Sequence, residues 1–191
     1  MFAGVPLGVF LGLRRFPGRG LLIALVNSGM GLPPVVVGLF VFLLLARSGP
    51  LGSLGLIYTP AAMVVAQVVL ATPLVVGVTM AAIQGLDDRL RLQILSLGAS
   101  RLQLYVKLVV EARVSLVAAL AAGFGAVISE VGAVMIVGGN IQGQTRVMTS
   151  AIVLETRQGN FAMAIALSVI LLVIALIING GFTWLQQRRS P

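Results

Sequence analysis

The chain has 191 residues, of which 59% are hydrophobic and only 9% are charged, and it carries a formal net charge of +8. Soluble domains contain roughly 25% charged residues, and a water-soluble globule of this size has too little interior to bury so much apolar surface. The composition therefore excludes a cytosolic enzyme, a disulfide-stabilised secreted domain and a disordered chain, and it predicts an all-α protein embedded in lipid.

Five apolar stretches are predicted to form the membrane helices. They cover residues 1–13, 21–46, 56–83, 114–139 and 161–185. The last four are each long enough to cross the roughly 30 Å hydrocarbon core of a bilayer, and prolines inside the second and third predict kinks there. The first extends over only about 20 Å, so we expect it to be the second half of a helix that begins upstream of Met1.

The basic residues predict the orientation of these helices. With a cytoplasmic carboxyl terminus, ten of the thirteen Lys and Arg residues, Arg188 and Arg189 included, lie inside and only Arg47, Arg146 and Arg157 lie outside. Inner-membrane proteins carry such an excess on their cytoplasmic segments. We therefore expect a multi-pass membrane protein with its carboxyl terminus in the cytoplasm. Because the basic residues fall between apolar stretches rather than on one face, nucleic-acid binding is not expected.

The residue types present leave little room for catalysis. Histidine and cysteine are absent, so the chain has no imidazole base, no thiolate and no His/Cys set for a metal ion. The acidic residues are only Asp87, Asp88, Glu111, Glu130 and Glu155. We expect no catalytic residue, no metal site and no cofactor in this chain.

Glycines spaced four apart mark one face of the first stretch: Gly4, Gly8 and Gly12. Small residues at this spacing let two membrane helices approach closely. The pattern predicts packing within the chain in preference to a dimer interface.

Two connections are too long to be simple turns. In residues 84–113, which are cytoplasmic in this orientation, apolar side chains recur every third or fourth position, as in an amphipathic helix. These side chains are Leu86, Leu90, Ile94 and Leu97. Gly98 is predicted to end this helix and Ser100 to cap a second one. The pattern alone is compatible with a unit that rests on lipid headgroups or docks on a cytoplasmic partner. The other connection, 140–160, is predicted to be a polar external loop.

The cytoplasmic connection resembles a known motif. Its central residues are Leu95-Ser96-Leu97-Gly98-Ala99-Ser100. They resemble the coupling loop of ATP-binding-cassette (ABC) importer permeases, whose short helices dock on the ATPase. The family pattern of Glu-Ala-Ala, three residues and Gly is kept only in part, because Leu92, Gln93 and Ile94 occupy the first three positions.

A second motif is more specific. It consists of Ser129-Glu130-Val131-Gly132-Ala133-Val134-Met135, then Val137-Gly138-Gly139-Asn140 and Arg146-Val147-Met148-Thr149. It is similar to the permeases of oxyanion importers, which serve tungstate, molybdate and sulfate, and most like the tungstate-specific branch. The resemblance covers nearly the whole chain and implies a type I, molybdate-permease-like fold, with residues 1–191 forming one permease domain of about five transmembrane helices.

The resemblance also implies partners. Two cytoplasmic ATPase subunits, which would hold ATP and Mg, would bind the loops around Gly98. An extracytoplasmic oxyanion-binding protein would dock near residues 140–160. The permease itself would work as a homodimer around a central path.

The outer part of the fourth stretch and the loop after it contain the candidate path residues. A carboxylate facing lipid costs about 2.5–3.5 kcal/mol, so Glu130, beside Ser129, is expected to face protein or a water-filled path. We predict a structural hydrogen bond from Glu130 to a neighbouring helix in preference to a gating role. The loop after this stretch contains amide, hydroxyl and guanidinium donors that are suited to bind a tetrahedral dianion. They are Asn140, Gln142, Gln144, Arg146, Thr149 and Ser150. An ordinary solvated loop, or a surface that docks a binding protein, is the alternative interpretation.

Importing a dianion against an interior at −100 mV costs about 4.6 kcal/mol, so transport needs an energy source. The chain contains no Gly-x-x-x-x-Gly-Lys-[Ser/Thr] segment with which to bind ATP. The energy is therefore expected to come from a partner. The alternatives are a molybdate or sulfate permease, a secondary transporter or channel without an ATPase, and a non-transporting scaffold.

Overall fold

The computed structural model of the chain describes residues 4–187, and within them the fold is entirely helical apart from its connections. Arg188 and Arg189, which enter the orientation argument, lie outside the described residues. The helices in chain order are α1 (Gly4–Leu13), α2 (Arg19–Met30), α3 (Pro34–Leu45), a 3-10 turn (Gly52–Leu54), α4 (Pro60–Gln84), α5 (Asp88–Ser96), α6 (Arg101–Glu111), α7 (Arg113–Ile128), α8 (Gly132–Gly138), α9 (Met148–Arg157) and α10 (Phe161–Gln187). The predicted all-α class is confirmed.

Several of these helices are suited to cross a membrane. By length and composition, α4 and α10 can each cross as one helix of 25 and 27 residues. Two bent helix pairs are long and apolar enough only when taken together, α2 with α3 at 106° and α6 with α7 at 62°, and each is either a broken span or a re-entrant loop. The described residues thus contain up to four crossing segments beside the short apolar α1, which agrees with a multi-pass protein.

The stretch 21–46 is two helices rather than one. Pro34 occupies the first turn of α3, and Pro33 before it is extended at φ −62° and ψ 124°. Proline has no amide hydrogen for a helical bond and disfavours helix in the residue before it, which explains the break. Pro73 lies inside a continuous α4. The stretch 114–139 is also divided, because α7 ends at Ile128 and α8 begins at Gly132.

The helices group into two compact units. The first contains residues 4–30, 72–123 and 182–187 of the described chain, and the second contains residues 31–71 and 124–181. Both units are assembled from separate sequence segments, and α4, α7 and α10 each contribute to both.

In the first unit, α1 packs against α4 through its three glycines. A Cβ added to any of them would lie 2.6–2.9 Å from a side-chain atom of α4. The pairs are Gly4 with Val75, Gly8 with Thr79, and Gly12 with Ile83. Real Cβ atoms do not approach so closely, so the contact requires glycine. The predicted packing within the chain is confirmed.

The core of the second unit lies where α3 meets α8. Val37 and Val41 of α3 pack with Val134 and Val137 of α8, and all four are buried. A Cβ on Gly38 would lie 2.6 Å from the Cα atom of Ala133, so the two backbones are in direct contact there. This packing fixes α8, the short helix that follows the Ser129-Glu130 motif.

Candidate functional site

The connection over residues 84–113 folds as the sequence predicts. Asp87 caps α5 by accepting a hydrogen bond at Oδ1 from the Arg89 amide at 2.8 Å. Ser100 and Gln103 form a capping box at the start of α6, with each side chain accepting from the other residue's amide at 3.3 and 2.8 Å. Between the helices, Gly98 adopts φ +80°, which is unfavourable for any residue with a Cβ. Helix α5, Gly98 and helix α6 are called the hinge unit below.

The hinge unit leaves apolar side chains in contact with solvent. Leu97 is 86% exposed, and Leu92, Leu95 and Leu102 are exposed as well. Ser96 is exposed too and donates its hydroxyl hydrogen to the Gln93 carbonyl at 2.9 Å. By contrast, Leu104 and Leu108 are buried and hold α6 in the first unit. An exposed apolar ridge beside a fixed helix is a surface suited to a protein partner.

The six residues of the predicted coupling loop are therefore together on this turn. Leu95 and Ser96 end α5, Leu97 and Gly98 make the turn, and Ala99 and Ser100 lead into α6. All are exposed except Ala99, which is partly buried. The amide of Ala99 donates to the Ile94 carbonyl at 3.4 Å, closing the turn on α5.

In the second unit, Glu130 lies at the break between α7 and α8. Its Oε1 accepts a hydrogen bond from the Ala133 amide at 2.9 Å. A carboxylate at the amino end of a helix satisfies a free amide and interacts favourably with the helix dipole. Ser129 beside it donates to the Gly125 carbonyl at 2.9 Å and so remains within the end of α7. The bond of Glu130 to the next helix is the type that the structural interpretation predicts.

A cavity of about 290 Å³ adjoins this break. Most of its wall is apolar, and the polar groups on it belong to Gln67, Glu130 and Thr149. The apolar residues are Phe124, Val127, Ile128, Val147, Met148, Leu171 and Ile174. Thr149 donates to the Glu130 carbonyl at 3.3 Å, so two of the three polar residues are bonded to each other. The cavity brings together Glu130 and Thr149, which the sequence places in the same site.

The predicted external loop 140–160 contains helix α9 and, before it, a tightly bonded turn. Thr145 is 1% exposed. Its hydroxyl donates to the Gly138 carbonyl and accepts from the Ile141 amide at 2.9 Å. These bonds hold the turn that begins at Gly139, with φ +72°, and Asn140, with φ +50°. The connection is therefore not a plain turn, since residues Met148–Arg157 form α9.

Some of the candidate anion donors are buried and already hydrogen-bonded, whereas others are exposed. Ser150 is completely buried, and its hydroxyl bonds to Asn140 Oδ1 at 2.8 Å. Ser150 therefore has no surface with which to contact an anion, and the predicted contact is corrected for this residue. Gln142 and Gln144 are exposed. Arg146 is partly buried, and its Nε is buried without a hydrogen-bond partner among the described residues.

Two features of this site are not assigned by sequence reasoning. Gln67 faces the cavity from α4. Its signal is a single amide inside an apolar stretch, which does not by itself indicate where on the helix the side chain points. Thr145 fixes the turn through its buried hydroxyl. A threonine in a polar loop gives no sign of burial, so only the fold identifies it.

Comparison with known proteins identifies the family. The family model described as binding-protein-dependent transport system inner membrane component matches residues 4–191. The chain therefore belongs to this family and is a multi-pass component of a transport system in the inner membrane. A chain of this family is a permease component rather than an enzyme.

Two relatives cover most of the chain. A probable anion ABC transporter permease protein of Haloferax volcanii is 43% identical over 181 residues, which are 92% of this chain and 78% of the relative. The tungstate uptake system permease protein TupB of Peptoclostridium acidaminophilum is 41% identical over 183 residues, 96% of this chain and 80% of the relative.

A solved structure gives the same fold. The chain is similar to a chain of the MetNI methionine ABC transporter in an inward-facing conformation, with a TM-score of 0.72 and 18% identity. The match covers 100% of this chain and 87% of that one. The predicted type I ABC-importer permease fold is thereby confirmed.

Proposed function

We propose that this member of the family is the permease subunit of an ABC importer and that it forms the membrane path for tungstate. The observation that carries the proposal is its 41% identity over 96% of the chain to a tungstate uptake permease. Glu130 and the segment Val147-Met148-Thr149, which resemble the tungstate branch in sequence, line the same cavity and are joined by the bond of Thr149 to Glu130. Molybdate or sulfate, carried by related permeases, is the alternative substrate.

The hinge unit is the proposed attachment point for the ATPase. A movement of a partner can be transmitted only if the loop is rigid, and both of its helices are capped by side chains. The exposed leucines offer the apolar ridge that a groove on the partner would bury. The ATPase, with its ATP and Mg, would supply the roughly 4.6 kcal/mol needed per dianion at −100 mV. The chain itself would need no cofactor.

The second unit is proposed to contain the anion path and to receive a binding protein outside the membrane. Gln142, Gln144 and Arg146 offer donors on the turn after α8, whereas the hydroxyl of Thr149 already donates to the Glu130 carbonyl. Asn140 and Ser150 would support the turn, since they bond to each other. Ser129 and Glu130 would hold the break between α7 and α8. Two copies of the chain would enclose the path, because an oxyanion needs a polar route that one apolar cavity does not supply.

The proposed orientation places the hinge unit and the carboxyl terminus in the cytoplasm. The chain has no cysteine, so single cysteines can be introduced without background. Leu97→Cys and Gln142→Cys replace exposed side chains in the two loops. In intact cells, a membrane-impermeant maleimide should label Gln142→Cys alone, and lysis should make Leu97→Cys reactive. The opposite order would invert the orientation.

The decisive test reconstitutes the complex. The solubilised chain is combined with its ATPase and with receptor proteins loaded with tungstate, molybdate or sulfate, and both capture and ATP hydrolysis are measured. Capture with hydrolysis stimulated by the tungstate-loaded receptor is the expected result. Stimulation by another anion would keep the transporter class and change the substrate. Uptake without any ATPase capture would favour a secondary transporter or channel, and neither uptake nor capture would favour a scaffold.

A further inference from the structure

A second cavity, of about 270 Å³, lies in the first unit beside the hinge unit. Two arginines face it, Arg91 from α5 and Arg101 from the start of α6, together with the ring of Tyr105. The remaining wall consists of four leucines from α1, α5 and α6. The cavity therefore combines two positive charges with an apolar floor, and no acidic residue of the described chain lines it.

One nitrogen of the partly buried Arg91 side chain lacks a hydrogen-bond partner among the described residues. This nitrogen, Nε, is buried. The two acids nearest to Arg91 in sequence, Asp87 and Asp88, are exposed and do not line the cavity, and Asp87 caps α5. A buried donor without an acceptor is unfavourable, so an acceptor that enters the cavity and reaches this donor would be stabilised there. Guanidinium groups match the geometry of phosphate oxygens, to which they donate in pairs.

The cavity is larger than a free inorganic anion needs. At about 30 Å³ per water, its volume equals that of about nine water molecules, and its leucine walls offer nothing to a second charged oxygen. A phosphate attached to an apolar body would use both parts, with its oxygens on the arginines and its carbon atoms on the leucines. An anionic phospholipid has this chemistry.

The surroundings favour the same ligand. Helix α1 is apolar along its length and is followed by Arg14, whose Cζ lies 6.0 Å from the centroid of the Tyr105 ring. An apolar helix that ends in arginine is typical of the boundary between membrane and water. In the orientation proposed above, this boundary is the cytoplasmic leaflet, where anionic lipids gather and attract basic pockets between helices.

We propose that this cavity is a binding site for the phosphate headgroup of an anionic phospholipid, held by Arg91 and Arg101 next to Gly98. The inference rests on the proposed orientation but not on the transported substrate. Because both arginines belong to the hinge unit, a lipid bound there bridges α5 and α6. The lipid composition of the inner leaflet would then tune how firmly the hinge unit is held.

Native mass spectrometry of the purified full chain in a zwitterionic detergent tests the site directly. The chain is mixed with phosphatidylglycerol, with phosphatidylcholine or with inorganic phosphate alone. Arg91→Gln/Arg101→Gln removes the two cavity charges. Arg89→Gln/Lys107→Gln is the matched control, since it removes two exposed charges from the same two helices outside the cavity.

The wild-type chain should retain phosphatidylglycerol in preference to phosphatidylcholine. Retention should fall about tenfold in the cavity variant, equivalent to about 1.4 kcal/mol, and by less than about twofold in the control. Equal losses in both variants would overturn the proposal, because binding would then reflect general charge. Displacement of the lipid by millimolar inorganic phosphate would also overturn it and assign the cavity to a free oxyanion.

The thermal midpoint of each variant without lipid shows whether it is folded. If the double cavity variant does not fold, Arg101→Gln alone replaces it, since that side chain is exposed and should still lower retention severalfold. Lipid retention is measured without ATPase or receptor. A negative result for lipid binding would therefore leave the proposed transport function untouched, and a negative result for transport would leave the lipid site untouched.

Discussion

The hydroxyl of Thr149 donates a hydrogen bond to the backbone carbonyl of Glu130 at 3.3 Å, although the two residues are 19 positions apart. The carboxylate of Glu130 at the same time caps α8 through the Ala133 amide. Glu130 thus connects the end of α7, the start of α8 and the first turn of α9 through these two hydrogen bonds. Because both Glu130 and Thr149 line the 290 Å³ cavity, the same bonds define its polar wall.

Replacing Glu130 should separate its structural contribution from that of its charge. Glu130→Ala removes the acceptor of the Ala133 amide and should destabilise the protein by about 1 kcal/mol, as loss of a helix cap does. Glu130→Gln keeps an oxygen acceptor and should unfold near the wild-type temperature. Thermal unfolding of the purified protein measures both, with Glu111→Ala, an exposed acid, as control. A Gln variant that is stable but inactive in uptake would instead assign the charge to gating.

Gly98 is expected to be essential for coupling rather than for insertion. Its φ of +80° costs a residue with a Cβ roughly 1–2 kcal/mol, although no neighbouring atom would touch the added group. Gly98→Val should therefore distort the hinge unit, leaving ATP hydrolysis by the assembled complex but abolishing uptake. Gly98→Asn, which tolerates this backbone conformation better, should retain part of the uptake. Normal uptake in the valine variant would contradict the coupling role.

Thr145 should stabilise the turn after α8 through its hydroxyl alone. Thr145→Val preserves the shape of the side chain but leaves the Gly138 carbonyl and the Ile141 amide without their partner. Loss of a buried pair of bonds should cost about 1–3 kcal/mol. Thr145→Ser keeps both bonds and is the matched control. Limited proteolysis should cut the valine variant faster within residues 139–147, and equal rates for the two variants would show that the hydroxyl is not needed.

Under the proposed function, Arg146 is the donor on the turn after α8 that we expect to contact the oxyanion. Its Nε is buried without a partner among the described residues, so an oxyanion would supply the missing acceptor. Arg146→Gln should reduce uptake at limiting substrate at least about tenfold, because charge-assisted bonds contribute about 1.5–3 kcal/mol. Arg157→Gln, on the exposed end of α9, should have little effect. Initial uptake rates over a substrate series measure both, and equal losses would assign the effect to loop charge.

Sequence reasoning succeeded where periodicity and capping determine structure locally. The hinge unit illustrates this, since its apolar spacing, Gly98 and Ser100 each act within one turn of helix. The glycine spacing of α1 was similarly informative, because a helix face without side chains indicates close packing against another helix. The apolar stretches also indicated membrane segments, since lipid is the only solvent that accepts them.

Sequence reasoning was less successful where long-range contacts decide. The burial of Ser150 depends on a bond to Asn140 ten residues earlier, and a polar run gives no measure of such burial. The cavity position of Gln67 depends on the rotation of α4 against elements far away in sequence. The contact of Gly38 with Ala133 holds α3 against α8 in the second unit, and residues so far apart in sequence give no local signal of it.

The contact between α1 and α4 also limits how this protein can evolve. Every amino acid other than glycine carries a Cβ, so no missense change at Gly4, Gly8 or Gly12 avoids a collision with α4. On the opposite side of α1, Leu7 and Phe10 are exposed and can be exchanged for other apolar residues. Tolerance to substitution along α1 should therefore be lowest at these three glycines, which lie four positions apart.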